Sequence, residues 1–221
     1  MLTAVAHSRR QRGFSLVEMM VALVLGLIVT GAVLALVIAI IHSNRQTLQS
    51  TRLNQELRAT LAVIASDLRR ARSVQDPLTT AMLPGGNPYQ AVSATMPAAG
   101  AGCLLYGYDA DEDKDGASES RWHILRRATA ADGTARVVLL SFSPTAPADC
   151  AANGTEIPLG SDQVDITRLV VSPVTSAADA GVVREFTVTL TGHLIDGDAA
   201  LADIERTMSQ TVYVRSVGAG I

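Results

Sequence analysis

The sequence predicts an α+β fold in which one long N-terminal helix precedes a β-rich remainder. Three features carry that expectation. Met19 to Ile41 are 23 consecutive residues without a charge, and the polar stretch after them keeps a helical period to about residue 71. From residue 76 onward, short alternating segments are separated by Gly, Pro, Asp and Asn. The chain of 221 residues accordingly divides into 1–13, 14–43, 44–75 and 76–221.

The uncharged run comes first. At about 1.5 Å of rise per residue it makes a helix of about 35 Å, enough to cross a bilayer core. His7, Arg9, Arg10 and Arg12 precede it, with no acid among the first thirteen residues. Such flanks predict a cytoplasmic N-terminus and a C-terminal bulk on the far side of the membrane. A secretory signal peptide also begins basic, but its apolar core is only about 7–15 residues. Glu18 is the lone acid at the mouth of the run. A carboxylate at membrane depth costs about 2.5–3.5 kcal/mol on insertion scales, so it calls for a partner or a purpose.

Beyond Ile41 the polarity changes while the period continues. Leu48, Leu53, Leu57, Leu61, Ile64, Leu68 and Ala71 recur mostly at three or four residues, with Arg52, Glu56, Arg58, Asp67, Arg69 and Arg70 between them. This is an amphipathic helix lying on a core. Phe14 to about Ser73 is expected to form one rod on the order of 90 Å long. Pro77 and then Pro84-Gly85-Gly86-Asn87-Pro88 close it.

Strands are expected at Cys103–Tyr108, Arg121–Arg126, Arg136–Phe142, Asp165–Val171, Val183–Ile195 and Thr207–Val217. The clearest alternation sets Phe186, Val188, Leu190 and Leu194 against Glu185, Thr187, Thr189, Thr191 and His193. A half-buried antiparallel sheet follows, with the apolar stripe from Leu48 to Ala71 as its cover.

Composition narrows the function. Without Arg9, Arg10 and Arg12 the 18 basic residues fall to 15 against 21 acids, a balance of about −6 that gives no basic face for nucleic acid. His7, His42, His123 and His193 are scattered, and no GxSxG, HExxH or P-loop pattern occurs, so no enzyme is expected. Arg69-Arg70 and Arg126-Arg127 read as solvated faces. Trp122, like Tyr106 and Tyr108, reads as sheet core, with an exposed adhesive aromatic as the alternative.

Two other groups stand out. Cys103 and Cys150, 47 positions apart, would lie in an oxidising compartment if the exported side is a bacterial periplasm. A disulfide there closes a loop worth about 4 kcal/mol on the chain-entropy model; two buried thiols are the alternative. Asp109, Asp111, Asp113 and Asp115 alternate just before Gly116, with Glu119 beyond. Calcium takes six to eight oxygens, and counting from Asp111 puts Asp113, Asp115 and Gly116 at EF-hand positions. The twelfth position is Trp122 where that loop needs Glu, leaving a non-EF calcium loop or a solvated acidic turn.

Gly13-Phe14-Ser15-Leu16-Val17-Glu18, followed at once by the apolar run, resembles the processing site of type IV pilins and type II secretion pseudopilins. The resemblance implies that residues 1–13 are a leader removed by a prepilin peptidase between Gly13 and Phe14, with methylation of the new Phe14 amine. It also implies that Glu18 pairs with the N-terminal amine of a neighbouring subunit. The expected architecture becomes the pilin fold. Thr211-Val212-Tyr213-Val214-Arg215 resembles the closing strand of PilW-type minor pilins and of J-type minor pseudopilins. Unlike the common major-pilin pattern, the span has no Pro; Gly26, Thr30 and Gly31 are its soft points, and the two glycines lack GxxxG spacing.

The implied function is structural: a minor pilin in the inner membrane, with a periplasmic C-terminal part, that enters or primes a type IV pilus at the cell surface. Such pili serve adhesion, twitching motility or DNA uptake. The implied partners are other pilin and minor pilin subunits, the prepilin peptidase and the inner membrane. The alternatives are a minor pseudopilin of type II secretion and a membrane-tethered module that binds calcium or another ligand.

Overall fold

A computed structural model describes residues 13–82, 84–110, 119–174, 183–195 and 204–214. Helix α1 (Leu16–Leu68) runs for 53 residues, and the chain forms two compact units, Met1–Thr47 and Leu48–Ile221. In the first unit every described side chain of the helix is exposed, including the whole uncharged run.

In the second unit α1 buries Leu53, Leu57, Thr60, Leu61, Ile64, Ala65 and Leu68. Each fully buried Leu or Ile contributes about 1.5–3 kcal/mol, so this stripe fixes the helix on the core. Leu48 is a correction to the expected stripe, being 69% exposed. The helix also stops at Leu68, short of Ser73. Arg72 takes a left-handed φ of 67°, and its N–H leaves the helical ladder to donate to Gly107 O at 2.8 Å.

After a short helix α2 (Pro77–Met82), capped by Asp76 through the N–H groups of Leu78 and Thr79, the described residues form eight strands. They are β1 (Ser93–Ala98), β2 (Ala101–Ala110), β3 (Glu119–Thr129), β4 (Ala135–Phe142), β5 (Glu156–Leu159), β6 (Val164–Val174), β7 (Glu185–Leu194) and β8 (Arg206–Tyr213). They make one sheet in the order β5-β4-β3-β2-β6-β7-β8, with β1 paired to β2 off that path. The pairings are antiparallel as expected, except for a short parallel junction of β2 with β6 at Ala101 and Leu169. Gly102 permits it: a Cβ there would lie 2.7 Å from Leu169 O.

The main core lies between α1 and the sheet, where Leu104, Tyr106, Leu169, Phe186, Val188 and Leu190 meet the helix stripe. A smaller cluster of Cys103, Ile124, Val138 and Leu140 packs with Phe142, Cys150 and Ala152. The sheet is wider than expected. β1 and β5 each contain a proline, Pro97 and Pro158, which suppresses the alternation signal and suits strands near an edge.

Candidate functional site

The N-terminal segment is built by the start of α1. Ser15 O accepts from the N–H groups of Glu18 at 3.0 Å and Met19 at 3.1 Å, so the helix begins directly after Ser15. Glu18 therefore sits in the first turn, where the helix dipole favours an anion. Gly13 and Phe14 precede the helix, and Phe14 is 80% exposed. The order Ser15-x-x-Glu18 is also a capping-box pattern, a helix-start signal that the processing-site reading passed over. Among the described residues α1 is the one helix long and apolar enough to cross a membrane.

The cysteines are joined as a disulfide, with Cα atoms 6.3 Å apart. Cys103 is buried on β2, and Cys150 lies in the connection after β4, so the bond ties that connection to the sheet. Arg126 reinforces the tie by donating to Cys150 O at 3.0 Å, Ala152 O at 3.3 Å and Glu156 Oε1 at 2.9 Å. Arg126-Arg127 is thus no solvated face, since Arg127 Nε also donates to Ile166 O. Both are long side chains whose heads find carbonyls at partly buried positions. Arg69 and Arg70 are exposed as expected, and the Arg70 guanidinium stands 4.5 Å over the Tyr108 ring.

Of the acidic run, Asp111, Asp113 and Asp115 lie outside the described residues, as does the side chain of Glu119, whose backbone opens β3 opposite Ala110. Asp109 is turned toward the exit of α1. Its N–H donates to Ser73 O at 2.9 Å and its Oδ2 accepts from Gln75 N–H at 3.3 Å, while Oδ1 is buried with no hydrogen-bond partner among the described residues. No group of three or more His, Cys, Asp or Glu among the described residues could hold a metal ion.

The joint between α1 and the sheet carries the polar residues that the sequence reading missed. Asp67 accepts hydrogen bonds from both Tyr106 Oη and Tyr108 Oη, the second at 3.0 Å. His123 stacks on both rings, with centroids 5.4 and 4.6 Å away, and its Nδ1 meets Ser141 Oγ at 3.1 Å. Burial, opposed by Asp67 and aided by Arg121 and Arg70, depresses the His123 pKa. Burial, then the Asp67 charge, raises both tyrosines. Arg72, almost fully buried, donates to Gln90 O and Val183 O, each at 2.8 Å. Trp122 is half-buried, packs on Tyr89 at 5.2 Å across Gly107 and belongs to neither core cluster, so the core reading holds for the buried Tyr106 and Tyr108 and only in part for Trp122.

A cleavable-looking Gly-Phe step, an acid in the first helical turn and an exposed apolar helix ahead of an α+β unit define a pilin-like protein anchored by its N-terminal helix. In agreement, residues 8–34 match the prokaryotic N-terminal methylation motif. Residues 46–214 match prepilin peptidase-dependent protein B, and the chain belongs to that family. It is thus a pilin-like or pseudopilin-like substrate of prepilin peptidase. No curated protein and no solved structure matches it.

Proposed function

We propose that the chain is a minor pilin, cut between Gly13 and Phe14 and methylated at Phe14, that enters a type IV pilus or the complex that starts one. The observation that carries this reading is the wholly exposed apolar run of α1, with Glu18 in its first turn. Large apolar side chains from Leu16 to Ile41 require a bilayer before assembly and other subunits' helices after it. In this reading Glu18 faces a neighbour's Phe14 amine and fixes axial register. The N-terminus stays cytoplasmic, and the C-terminal part is periplasmic until the pilus carries it to the surface.

Mass spectrometry of the mature N-terminus from the native host tests the processing step: a methylated Phe14 is expected, and an intact Met1 would refute it. Deletion of the gene should reduce piliation. Loss of protein secretion with pili intact would instead assign the chain to a type II secretion pseudopilus. The acidic run from Asp109 to Glu119 is proposed to hold calcium; equal melting of the full chain with calcium and with chelator would remove that part.

A further inference from the structure

The two sulfurs of the disulfide stand in unlike surroundings. Cys103 is 1% exposed, lies on β2 between β1 and β3, and packs in the small cluster with Ile124, Val138 and Leu140. Cys150 is half-buried, in a turn where Ala151 N–H donates to Asp149 Oδ1 at 2.8 Å, and it lines an open groove of about 630 Å³. Ser93, Thr95, Met96 and Pro97 of β1 form the other wall. Thr95, Cys103 and Arg126 stand opposite one another in register across β1, β2 and β3, and all three reach Cys150.

Thiol reactivity follows access and local charge, and a thiol buried among apolar groups is inert. Both factors favour Cys150. The groove leads to it, while the sheet and the apolar cluster enclose Cys103. Thr95 is exposed and places Oγ1 3.5 Å from Cys150 Sγ, where the hydroxyl can donate to a thiolate. The Arg126 guanidinium, 3.0 Å from Cys150 O, adds positive charge that Glu156 offsets in part. A groove of this volume admits a small organic disulfide.

We propose that Cys150 is a site of mixed-disulfide formation, through which organic disulfides and thiols reach this bond from the groove beside β1. In the closing direction the Cys150 thiolate, its proton lost to water, attacks one sulfur of an incoming disulfide and expels the other as a thiolate. The Cys103 thiolate, formed in the same way, then attacks Cys150 Sγ and expels the second external thiolate. Two protein thiols are oxidised and one external disulfide is reduced. Arg126 holds the turn through Cys150 O and Ala152 O, so Cys103 stays within reach throughout. The site lies in the second unit and does not depend on the pilus reading.

The test uses the full chain in mild detergent. Reduced wild type, Cys103→Ala and Cys150→Ala are treated with oxidised glutathione, quenched with acid and mapped by peptide mass spectrometry. Wild type is expected to pass through an adduct on Cys150, and none on Cys103, before the internal bond closes. Cys103→Ala should gather its adduct at least about tenfold faster than Cys150→Ala, and concentrated guanidinium should abolish the difference by exposing both thiols. If a single variant misfolds, the wild-type adduct map still decides. Thr95→Val should slow the adduct on Cys150 several-fold while the oxidised chain melts as before; an unchanged rate would remove the hydroxyl from the site. An adduct on Cys103 of the folded wild type, or equal rates for the two folded cysteine variants, would overturn the proposal.

Discussion

Arg72 offers the sharpest test of how α1 is joined to the rest of its unit. Its side chain is 3% exposed and meets no carboxylate among the described residues; Nε and Nη1 instead donate to the carbonyls of Gln90 and Val183. Its own carbonyl accepts from Asn87 Nδ2 at 2.8 Å, so one residue binds three segments together. Burial, followed by the nearby Arg184, lowers its pKa, as expected for a cation held only by dipoles. Hydrogen bonds from a charged group contribute about 1.5–3 kcal/mol each, so Arg72→Ala should cost about 3–6 kcal/mol. The backbone adds a second, opposite effect. At a φ of 67° any residue with a Cβ is strained by about 1–2 kcal/mol, and glycine is not. Arg72→Gly should therefore be less destabilising than Arg72→Ala by about 0.5–1 kcal/mol, after allowing for glycine's extra freedom in the unfolded chain. Urea unfolding of the full chain in mild detergent measures both, followed by fluorescence of Trp122, the single tryptophan. A loss below about 1 kcal/mol for the alanine variant, or a glycine variant worse than alanine, would refute the reasoning.

Replacing Cys103 and Cys150 together by Ala removes a closure of 47 positions and should lower stability by about 4 kcal/mol. Unfolding midpoints of the oxidised wild type against the double variant check it. Gly107→Ala would bring a Cβ within 2.7 Å of both Trp122 and Tyr89, and should cost about 1–3 kcal/mol with a shift in tryptophan emission. The depressed pKa of His123 means that the unfolded chain binds the extra proton first, near its ordinary value of about 6.5. Stability should thus hold above that pH and fall as pH drops below it, and melting at a series of pH values should show a flatter profile for His123→Phe.

The apolar face of the second half of α1 was legible because burial there follows the helical period, from Leu53 through Leu68. The strands β2, β3, β4, β6, β7 and β8 were legible as β-prone segments bounded by Gly, Pro, Asp and Asn, with the alternation clearest in β7. Leu48 misled because it lies five positions before Leu53, which at about 100° per residue turns it away from the buried stripe. β1 and β5 were hidden by their prolines, and the parallel junction at Ala101 depends on the close approach that Gly102 allows, which no local pattern announces. The processing segment was the most legible part, since its chemistry is written in consecutive residues. The Asp67, Tyr106, Tyr108 and His123 joint was the least. Asp67 lies 39 positions from Tyr106, and a carboxylate on the flank of an amphipathic helix reads as solvated until two phenols from the sheet are seen to reach it.

The two units handle charge in opposite ways, and the contrast bears on Glu18. In the second unit a buried cation and a partly buried anion are tolerated because fixed groups surround them: two carbonyls for Arg72, two hydroxyls for Asp67. No described side chain contacts the Glu18 carboxylate in that manner. Its cost in a bilayer, about 2.5–3.5 kcal/mol, is outweighed by the fourteen Leu, Ile and Val residues from Met19 to Ile41, which at about 0.3–0.6 kcal/mol each favour insertion by about 4–8 kcal/mol together. Membrane anchoring therefore needs no help from Glu18 and does not suffer much from it. Glu18→Ala should leave the chain membrane-bound and correctly folded, and its deficit should fall on assembly, where a carboxylate without a local partner still has one to gain.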